Sequence, residues 1–257
     1  MTISRKRWIK RTAETVFGWE AALAARWSSG AHRRLMLAQW ALPPEPQHFD
    51  HHIDLHRQWL LSRNPMWLER GVYSRLALKG GDVLELACGD GFNARNFYSL
   101  ASRRVVGCDI DPDALATARR KNAAPNVEFV PADIRVALPP GRFDNVVWDF
   151  AFPLVRYFTP PEIDAIVARI KASLGEGGIL SGYTLADAEA PAAANTPAFA
   201  FVEPADLQAF LQPHFGNVRV FETCHPGRRN FYFWASDGPV PFHEAWAAPG
   251  AAGATAT

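Results

Sequence analysis

Three carboxylates in short apolar segments are the residues best placed to bind a ligand. Glu85 lies inside the first segment, Asp109 ends the next one 20 positions after Gly89, and Asp133 ends the third. A buried carboxylate is costly unless it has hydrogen-bonding partners. Carboxylates accept hydrogen bonds from ribose hydroxyls, from an ammonium group or from the amino group of adenine. The three positions together predict a nucleoside ligand.

A glycine-containing turn follows the first of these segments. Gly89, Gly91 and Ala94 have the spacing G-x-G-x-x-A between a predicted strand and a predicted helix. Glycine lets the backbone come close to a ligand at such a turn, but the same spacing also fits a dinucleotide fingerprint. Glu85, four residues before Gly89, argues against an NAD fold, in which this strand normally carries only buried aliphatic side chains.

Two other residues are candidates for taking a proton during catalysis. Asp149 follows the fourth predicted strand, at the edge of the sheet where open α/β folds bind ligands, and is the only carboxylate in that loop before the next predicted helix. His225 lies at a predicted hairpin turn. Both side chains can act as general bases. Two alternatives stay open: Asp149 orients the ligand-facing end of its loop, and His225 is a solvated turn residue.

The elements that position these residues alternate along the chain. From residue 82 onward, β-branched segments alternate with helical patterns, which is typical of right-handed βαβ units around a parallel sheet. The predicted strands cover residues 82–87, 104–109, 127–131, 143–149 and 177–184, and a terminal hairpin covers 218–224 and 230–236. The predicted helices cover residues 92–101, 112–122, 160–174 and 204–211.

This order predicts an α/β fold: a Rossmann-like parallel sheet of seven strands with a terminal antiparallel hairpin, helices on both faces and an N-terminal helical extension. We divide the chain into a basic helical extension and cap at residues 1–70, a ligand-binding catalytic domain at 71–238 and a disordered tail at 239–257. The tail is rich in Ala, Gly and Thr, which cannot bury enough apolar surface to stay ordered.

Charge is unevenly distributed over the 257 residues, whose net charge is +1. Residues 1–40 hold eight Lys or Arg against two Glu, and residues 4–28 fit a basic amphipathic helix. Such a helix lies on an anionic membrane surface, docks a partner, or packs on its own catalytic domain. The four histidines between residues 48 and 56 lack the accompanying Glu or Cys pair of a zinc site, so we expect no metal.

The three cysteines and the hydropathy pattern bear on the cellular location. Cys88, Cys108 and Cys224 form an odd number without metal or disulfide spacing, and two of them lie in apolar strand-like segments. They are typical of reduced, mostly buried thiols of a cytoplasmic protein. No apolar run approaches the ~20 residues of a membrane span, and the N-terminus lacks the apolar core of a secretory signal.

The motifs as a set resemble those of class I S-adenosylmethionine-dependent methyltransferases. The resemblance spans roughly residues 71–238 and rests on Val83–Arg95, Val105–Arg120, Asn126–Ile134 and Phe143–Asp149. Five parallel strands followed by a hairpin is also the strand plan of that family. The chain departs from the family pattern at Ala87, where glycine is frequent, and after strand four, where a His or Glu-His pair is frequent.

The resemblance implies S-adenosylmethionine as cofactor and a role for each matching residue. Glu85, Gly89 and Gly91 are expected to hold the methionine part, and Asp109 is expected to hold the ribose. Ile110 is expected to face the adenine ring, and Asp133 with Ile134 its edge. Tyr73 and Arg70 precede the first strand, in the region that covers the methionine end in this family.

The expected activity is O-methylation of a small-molecule or glycan hydroxyl. The whole pattern is similar to methyltransferases associated with bacterial surface-polysaccharide and lipopolysaccharide assembly. The alternative is a non-catalytic S-adenosylmethionine-binding or scaffolding protein, suggested by the absence of the usual base after strand four. A nucleic-acid acceptor is not expected, because that loop lacks the Asn/Asp-Pro-Pro-aromatic pattern of amino-methylating enzymes.

Overall fold

The computed structural model describes residues 66–149, 159–186, 201, 203–225 and 228–242. The N-terminal segment 4–28, the histidines between 48 and 56 and the tail after 242 lie outside this part of the chain. Their predicted helix, membrane contact and disorder stay predictions. No helix among the described residues is both long and apolar enough to cross a membrane.

Four α-helices, seven strands and a short irregular helical segment make up the described chain. The helices are α1 (Met66–Leu76), α2 (Pro112–Lys121), α3 (Pro160–Ser173) and α4 (Pro204–Leu211). The strands are β1 (Gly80–Leu86), β2 (Ser102–Asp109), β3 (Val127–Pro131), β4 (Phe143–Trp148), β5 (Leu174–Leu185), β6 (Asn217–His225) and β7 (Arg228–Ser236).

The seven strands form one sheet in the order β3-β2-β1-β4-β5-β7-β6. Strands β1 to β5 are parallel to their neighbours, whereas β7 runs antiparallel to both β5 and β6. The order reverses between β1 and β4, and such a switch point is where open α/β sheets bind ligands. The predicted seven-stranded Rossmann-like fold with its terminal hairpin is confirmed.

Alternating side chains of the central strands divide the core into two layers. Val83 and Val147 are buried on one face with Leu115 and Phe129, under α2. The side chains next to them in β1 and β4 point to the other face, where they pack against α3 and α4 in a larger cluster. Helices cover both faces of the parallel part of the sheet, which explains why the buried residues of these strands are mostly apolar on both faces.

Helix α1 is fixed along β4 on the face of the smaller cluster. The buried amide of Asn145, in β4, donates to the carbonyl of Ala77 at 2.9 Å and accepts from the backbone N–H of Lys79 at 3.4 Å. Gly71 lets α1 approach the segment after β1, because a Cβ at this position would overlap the ring of Phe97. These contacts set the position of the α1 side chains that face the carboxyl edge of the sheet.

Two element predictions differ from the structure in detail. The predicted helix at 92–101 contains a π-helical turn at Ala94–Tyr98 and a 3-10 turn at Ser99–Ala101. The backbone N–H of Ala94 donates to the Glu85 carboxylate, and a π turn of this kind often marks a functional site. Helix α3 ends at Ser173 and β5 begins directly at Leu174, three residues before the predicted start of that strand at residue 177.

Gly182 in β5 generates a stability prediction, because a Cβ there would overlap the main-chain carbonyl of Trp148 in β4. We expect Gly182→Ala to destabilise the protein by about 1–3 kcal/mol, the usual cost of overpacking. Gly175→Ala is the matched control on the same strand: its Cβ would meet only the Phe143 carbonyl, at 3.6 Å. Urea unfolding measures both variants, and equal stability of the two would contradict the packing argument.

Candidate functional site

Four strands bring acidic side chains to one edge of the sheet. Glu85 lies near the carboxyl end of β1 and Asp109 is the last residue of β2. Asp133 follows β3 by two residues, and Asp149 directly follows β4. Parallel strands present their carboxyl ends at a common edge, so the sequence-predicted acids, separated by up to 64 positions, border the same switch point.

The turn after β1 uses left-handed backbone at three positions. Ala87, Gly89 and Gly91 have φ angles of 53°, 57° and 74°. A Cβ at Gly91 would also overlap the Phe129 ring, so glycine is required there for space as well as for conformation. Ala87 occupies the left-handed region with a side chain, at a cost of roughly 1–2 kcal/mol. The turn therefore keeps its shape despite the missing glycine.

Asp109 is oriented by the turn that it faces. Its Oδ2 accepts from the backbone N–H of Gly89 at 2.8 Å, and its Oδ1 accepts from the N–H of Asp111 at 2.9 Å. A carboxylate has about four acceptor sites, so each oxygen can take a further hydrogen bond from a hydroxyl. The neighbouring Ile110 is 38 % exposed.

Asp133 is engaged by a cation in the same loop. The guanidinium of Arg135 contacts both carboxylate oxygens, with Nε to Oδ1 at 2.8 Å and Nη2 to Oδ2 at 2.5 Å. The hydrogen bonds from Arg135 lower the pKa of Asp133. Ile134 is buried against the larger core cluster. An adenine amino group would have to share the Asp133 carboxylate with Arg135.

Glu85 is the most deeply buried of the four carboxyl groups, with 4 % of the residue exposed. Its Oε2 has no hydrogen-bond partner among the described residues. Burial raises the pKa of Glu85 well above its ordinary value, and only the charge of Arg70 and the N–H of Ala94 act against this. An unsatisfied buried carboxyl oxygen marks a position that a cationic ligand group can fill.

Arg70 and Asp149 form a buried ion pair beside Glu85. Arg70 Nε lies 2.9 Å from Asp149 Oδ2, and each side chain is about nine-tenths buried. Burial is the largest single effect and acts to lower the pKa of Arg70, but Asp149, Glu85 and two neighbouring tyrosines together outweigh it and the pKa is raised. In the orientation favoured by its neighbours, the Asn93 amide oxygen also accepts from Arg70, at 3.0 and 3.2 Å. No pattern in the sequence marks Asn93 as a member of the cluster around Arg70 and Asp149.

His225 and Tyr73 lie toward the hairpin side of α1. His225 Nε2 is 2.9 Å from Oε1 of Glu69, a residue that the sequence analysis missed. The ring of Tyr73 packs against Phe221 and Tyr232, with centroids 4.9 and 4.7 Å away. The structure therefore groups Glu85, Arg70 and Asp149 around one cluster and places Tyr73 in a neighbouring aromatic one.

The described residues fit a bound S-adenosyl group. Glu85 offers an unsatisfied acceptor for an ammonium and Arg70 a guanidinium for a carboxylate, on one side of the glycine turn. Asp109 faces the other side of the turn with acceptors for ribose hydroxyls. A seven-stranded sheet with this hairpin and these carboxylates defines a Rossmann-like nucleoside-binding domain of the methyltransferase type.

Comparison with protein families and with curated proteins supports this class. Residues 83–178 match the family model described as a methyltransferase domain. A ribosomal protein L11 methyltransferase of Thiobacillus denitrificans is 32 % identical over 136 residues, which are 52 % of this chain and 44 % of that protein. The same protein of Vibrio cholerae is 30 % identical over 63 % of this chain and 54 % of its own. The chain thus spans about half the length of these relatives.

Solved structures share the fold at low sequence identity. An N-methyltransferase NodS from Bradyrhizobium japonicum in complex with S-adenosylhomocysteine has a TM-score of 0.54 at 17 % identity, covering 73 % of this chain and 98 % of that one. A DhpI complex with S-adenosylhomocysteine has a TM-score of 0.51 at 23 % identity, covering 82 % and 95 %. Residues 83–178 of the chain thus form a methyltransferase domain, and S-adenosylmethionine is its cofactor.

Glu85 generates a prediction about pH. Because its pKa is raised in the free protein, the carboxyl holds a proton at pH values above ~4.3, the ordinary Glu value. An ammonium group pairs with the carboxylate form, so cofactor binding should release this proton, and affinity should rise with pH up to the raised pKa. Calorimetry in two buffers of different ionisation enthalpy measures the proton release directly.

Glu85→Gln should remove most of this pH dependence and weaken binding. The same change should stabilise the unliganded protein by about 1–3 kcal/mol at neutral pH, because a carboxyl whose folded pKa is raised destabilises the fold above its unfolded pKa. Glu128→Gln, an exposed position in β3, is the matched control. A pH-independent affinity in the unmodified protein would contradict the placement of Glu85.

Proposed function

We propose that this chain transfers the methyl group of S-adenosylmethionine to a hydroxyl of a small molecule or glycan. The observation that carries the proposal is the division of charge around the glycine turn. The Arg70, Glu85 and Asp149 cluster lies on one side, and the doubly anchored Asp109 carboxylate lies on the other. This layout matches a zwitterionic amino-acid group joined to a ribose.

Each residue of the proposed cofactor site has a defined part in holding the ligand. Glu85 Oε2 accepts from the ammonium group, while Arg70, oriented by Asp149, binds the carboxylate. The carboxylate of Asp109 takes both ribose hydroxyls. Gly89 and Gly91 allow the backbone to approach the ligand. Ile110, Asp133 and Ile134 surround the adenine.

The net charge of this cluster explains why it attracts the positively charged sulfonium of the cofactor. Arg70 supplies one positive charge, while Glu85 and Asp149 supply two negative charges when the former is ionised, so the cluster then carries an excess negative charge. Coulomb attraction is strong at low effective dielectric constant, so a cation gains most where water is excluded. The bound cofactor supplies an electrophilic methyl group; the protein supplies alignment, which can account for on the order of 7–11 kcal/mol of the barrier.

The acceptor is expected over the carboxyl ends of β4 and β5, beside Asp149. The similarity to ribosomal protein L11 methyltransferases favours a protein acceptor as the second candidate. The family match at residues 83–178 falls in the sheet that holds the cofactor. It therefore supports the cofactor more strongly than it supports any acceptor.

One assay distinguishes a methyltransferase from a non-catalytic protein that only binds the cofactor. Cofactor labelled in its methyl group is incubated with the protein and a cell extract, and labelled products are resolved by mass into small molecules, glycans and proteins. Label in a glycan or small molecule supports the proposal. Label in a protein supports the second candidate. Tight cofactor binding without any transfer supports a binding or scaffolding role.

Asp109→Ala tests the ribose contact. Two hydrogen bonds to a charged group are lost, each contributing roughly 1.5–3 kcal/mol, so the affinity for S-adenosylmethionine should fall by ~10² or more. Asp109→Asn retains one acceptor and should lose less. Calorimetry gives the affinities, and circular dichroism confirms that each variant is folded. Unchanged affinity in a folded Asp109→Ala variant would exclude this contact.

Asp149→Asn tests whether Asp149 is a base or an orienting group. Because its Oδ2 is paired with Arg70, we expect the change to release the guanidinium and raise the KM for S-adenosylmethionine by ~10-fold or more, with kcat nearly retained. A general base would instead show a loss of ~10² to 10⁴ in kcat. Steady-state kinetics with the acceptor found in the labelling assay measures both constants.

A further inference from the structure

A second polar cluster lies on the hairpin side of α1, apart from the cofactor residues. We call it the Glu69 cluster; it consists of Glu69, Thr223, His225 and Tyr232. Glu69 Oε1 pairs with His225 Nε2 at 2.9 Å. Its Oε2 accepts from the hydroxyl of Thr223 at 2.8 Å and from that of Tyr232 at 2.5 Å. Three donors from two strands thus converge on one carboxylate.

These contacts determine which atom of the cluster can accept a proton. The Glu69 carboxylate fixes the tautomer of His225 with hydrogen on Nε2, which leaves the lone pair on Nδ1. Burial and the hydrogen bond to Glu69 raise the pKa of Tyr232, so its hydroxyl keeps its proton and donates it to the Glu69 carboxylate. The described residues provide no hydrogen-bond partner for His225 Nδ1. This nitrogen is therefore the proton acceptor of the cluster.

The backbone of α1 connects the Glu69 cluster to the cofactor site. Glu69 and Arg70 are consecutive, so their Cα atoms are about 3.8 Å apart. Arg70 reaches Asp149 at the carboxyl end of β4, while Glu69 reaches His225, the last residue of β6. Strand β6 is parallel to β5, because both are antiparallel to β7. His225 thus lies at the same sheet edge as the methyl-binding end of the cofactor site.

We propose that Glu69 and His225 form a carboxylate–imidazole dyad that takes the proton from the methyl acceptor. His225 Nδ1 accepts the proton of the hydroxyl while the acceptor oxygen forms its bond to the methyl carbon. The methyl–sulfur bond breaks, its electron pair stays on sulfur, and the resulting imidazolium is stabilised by the Glu69 carboxylate. The proposal rests on the methyl-transfer function proposed above and makes Glu69 a positioning residue.

The dyad also explains how this chain dispenses with a base after strand four. The His or Glu-His pair that is frequent after strand four in the family is missing from this sequence. Asp149, which precedes that loop, is itself paired with Arg70. A His held by a carboxylate at the hairpin supplies the same chemistry from the end of β6, at the same edge of the sheet. General-base catalysis of this kind contributes ~10² to 10⁴ in rate, which a hydroxyl acceptor needs.

The dyad is tested by NMR of the His225 ring during a pH titration. The protein is saturated with S-adenosylhomocysteine in one titration and with S-adenosylmethionine in the other. The two ligands differ by one methyl group and one positive charge. If His225 faces the methyl site, its titration midpoint should be ~0.5 to 1.5 pH units lower in the second complex. Glu69 from α1 is the charged group that contacts this ring among the described residues, and it is present in both complexes.

His214 provides a control of the same type within the same protein. It also pairs with a carboxylate, Asp164, at 2.7 Å, but it follows α4 and precedes β6, at the opposite end of that strand from His225. Its midpoint should be equal in the two complexes. Equal midpoints for His225 in both complexes would overturn the dyad alone, whereas failure of both ligands to bind would overturn the proposed function as well.

Variants then separate positioning from a structural role. His225→Gln should lower labelled methyl transfer into cell extract by ~10² or more at saturating cofactor, with cofactor affinity within about twofold of the original. Glu69→Gln keeps only one of the two accepting oxygens and loses the charge that stabilises the imidazolium, so transfer at saturating cofactor should fall. His214→Gln should transfer normally. Full activity of folded His225→Gln would overturn the proposal.

Discussion

The buried ion pair between Arg70 and Asp149 is the interaction on which the rest of the site depends. It joins the helix before the first strand to the carboxyl end of the fourth, two segments separated by 79 positions in sequence. Breaking a buried pair leaves an uncompensated charge and is strongly destabilising, so both partners are held in place. Through this contact α1 is fixed at the edge of the sheet, and the neighbouring Glu69 takes its position from it.

Glu85 shows that the site is organised for binding at the expense of stability. A carboxyl that is buried with one oxygen unsatisfied destabilises the unliganded fold, and such a local conflict is characteristic of a functional position. Ala87 in the left-handed region adds a smaller cost of the same kind. Both residues flank the glycine turn, so the strain and the desolvated charge lie next to the surface that the cofactor covers.

In the function that we propose, the residues that hold the cofactor and those that face the methyl acceptor come from different parts of the chain. Glu85, Asp109 and Asp133 come from the first three strands, which fall within the family match at residues 83–178. His225 and its partner Glu69 lie outside that match, on the hairpin and on the helix before the sheet. This separation agrees with a general property of folds, in which a common scaffold carries the cofactor and variable elements carry specificity.

The sequence by itself determined the order of the strands and helices, the turn after β1 and the acids at the strand ends, because these signals are local. These signals are the alternation of strand-like and helical segments, the spacing of glycines and a charged residue in an apolar segment, and each is visible within a few positions. The strands predicted from them match the structure to within about three residues at each end. Only the tertiary structure decided which distant side chains meet. Arg70 with Asp149, Asn93 with Arg70 and Glu69 with His225 depend on how α1, the sheet edge and the hairpin pack. Side-chain pairing across such distances is set by packing and desolvation, which leave no periodic pattern in the sequence.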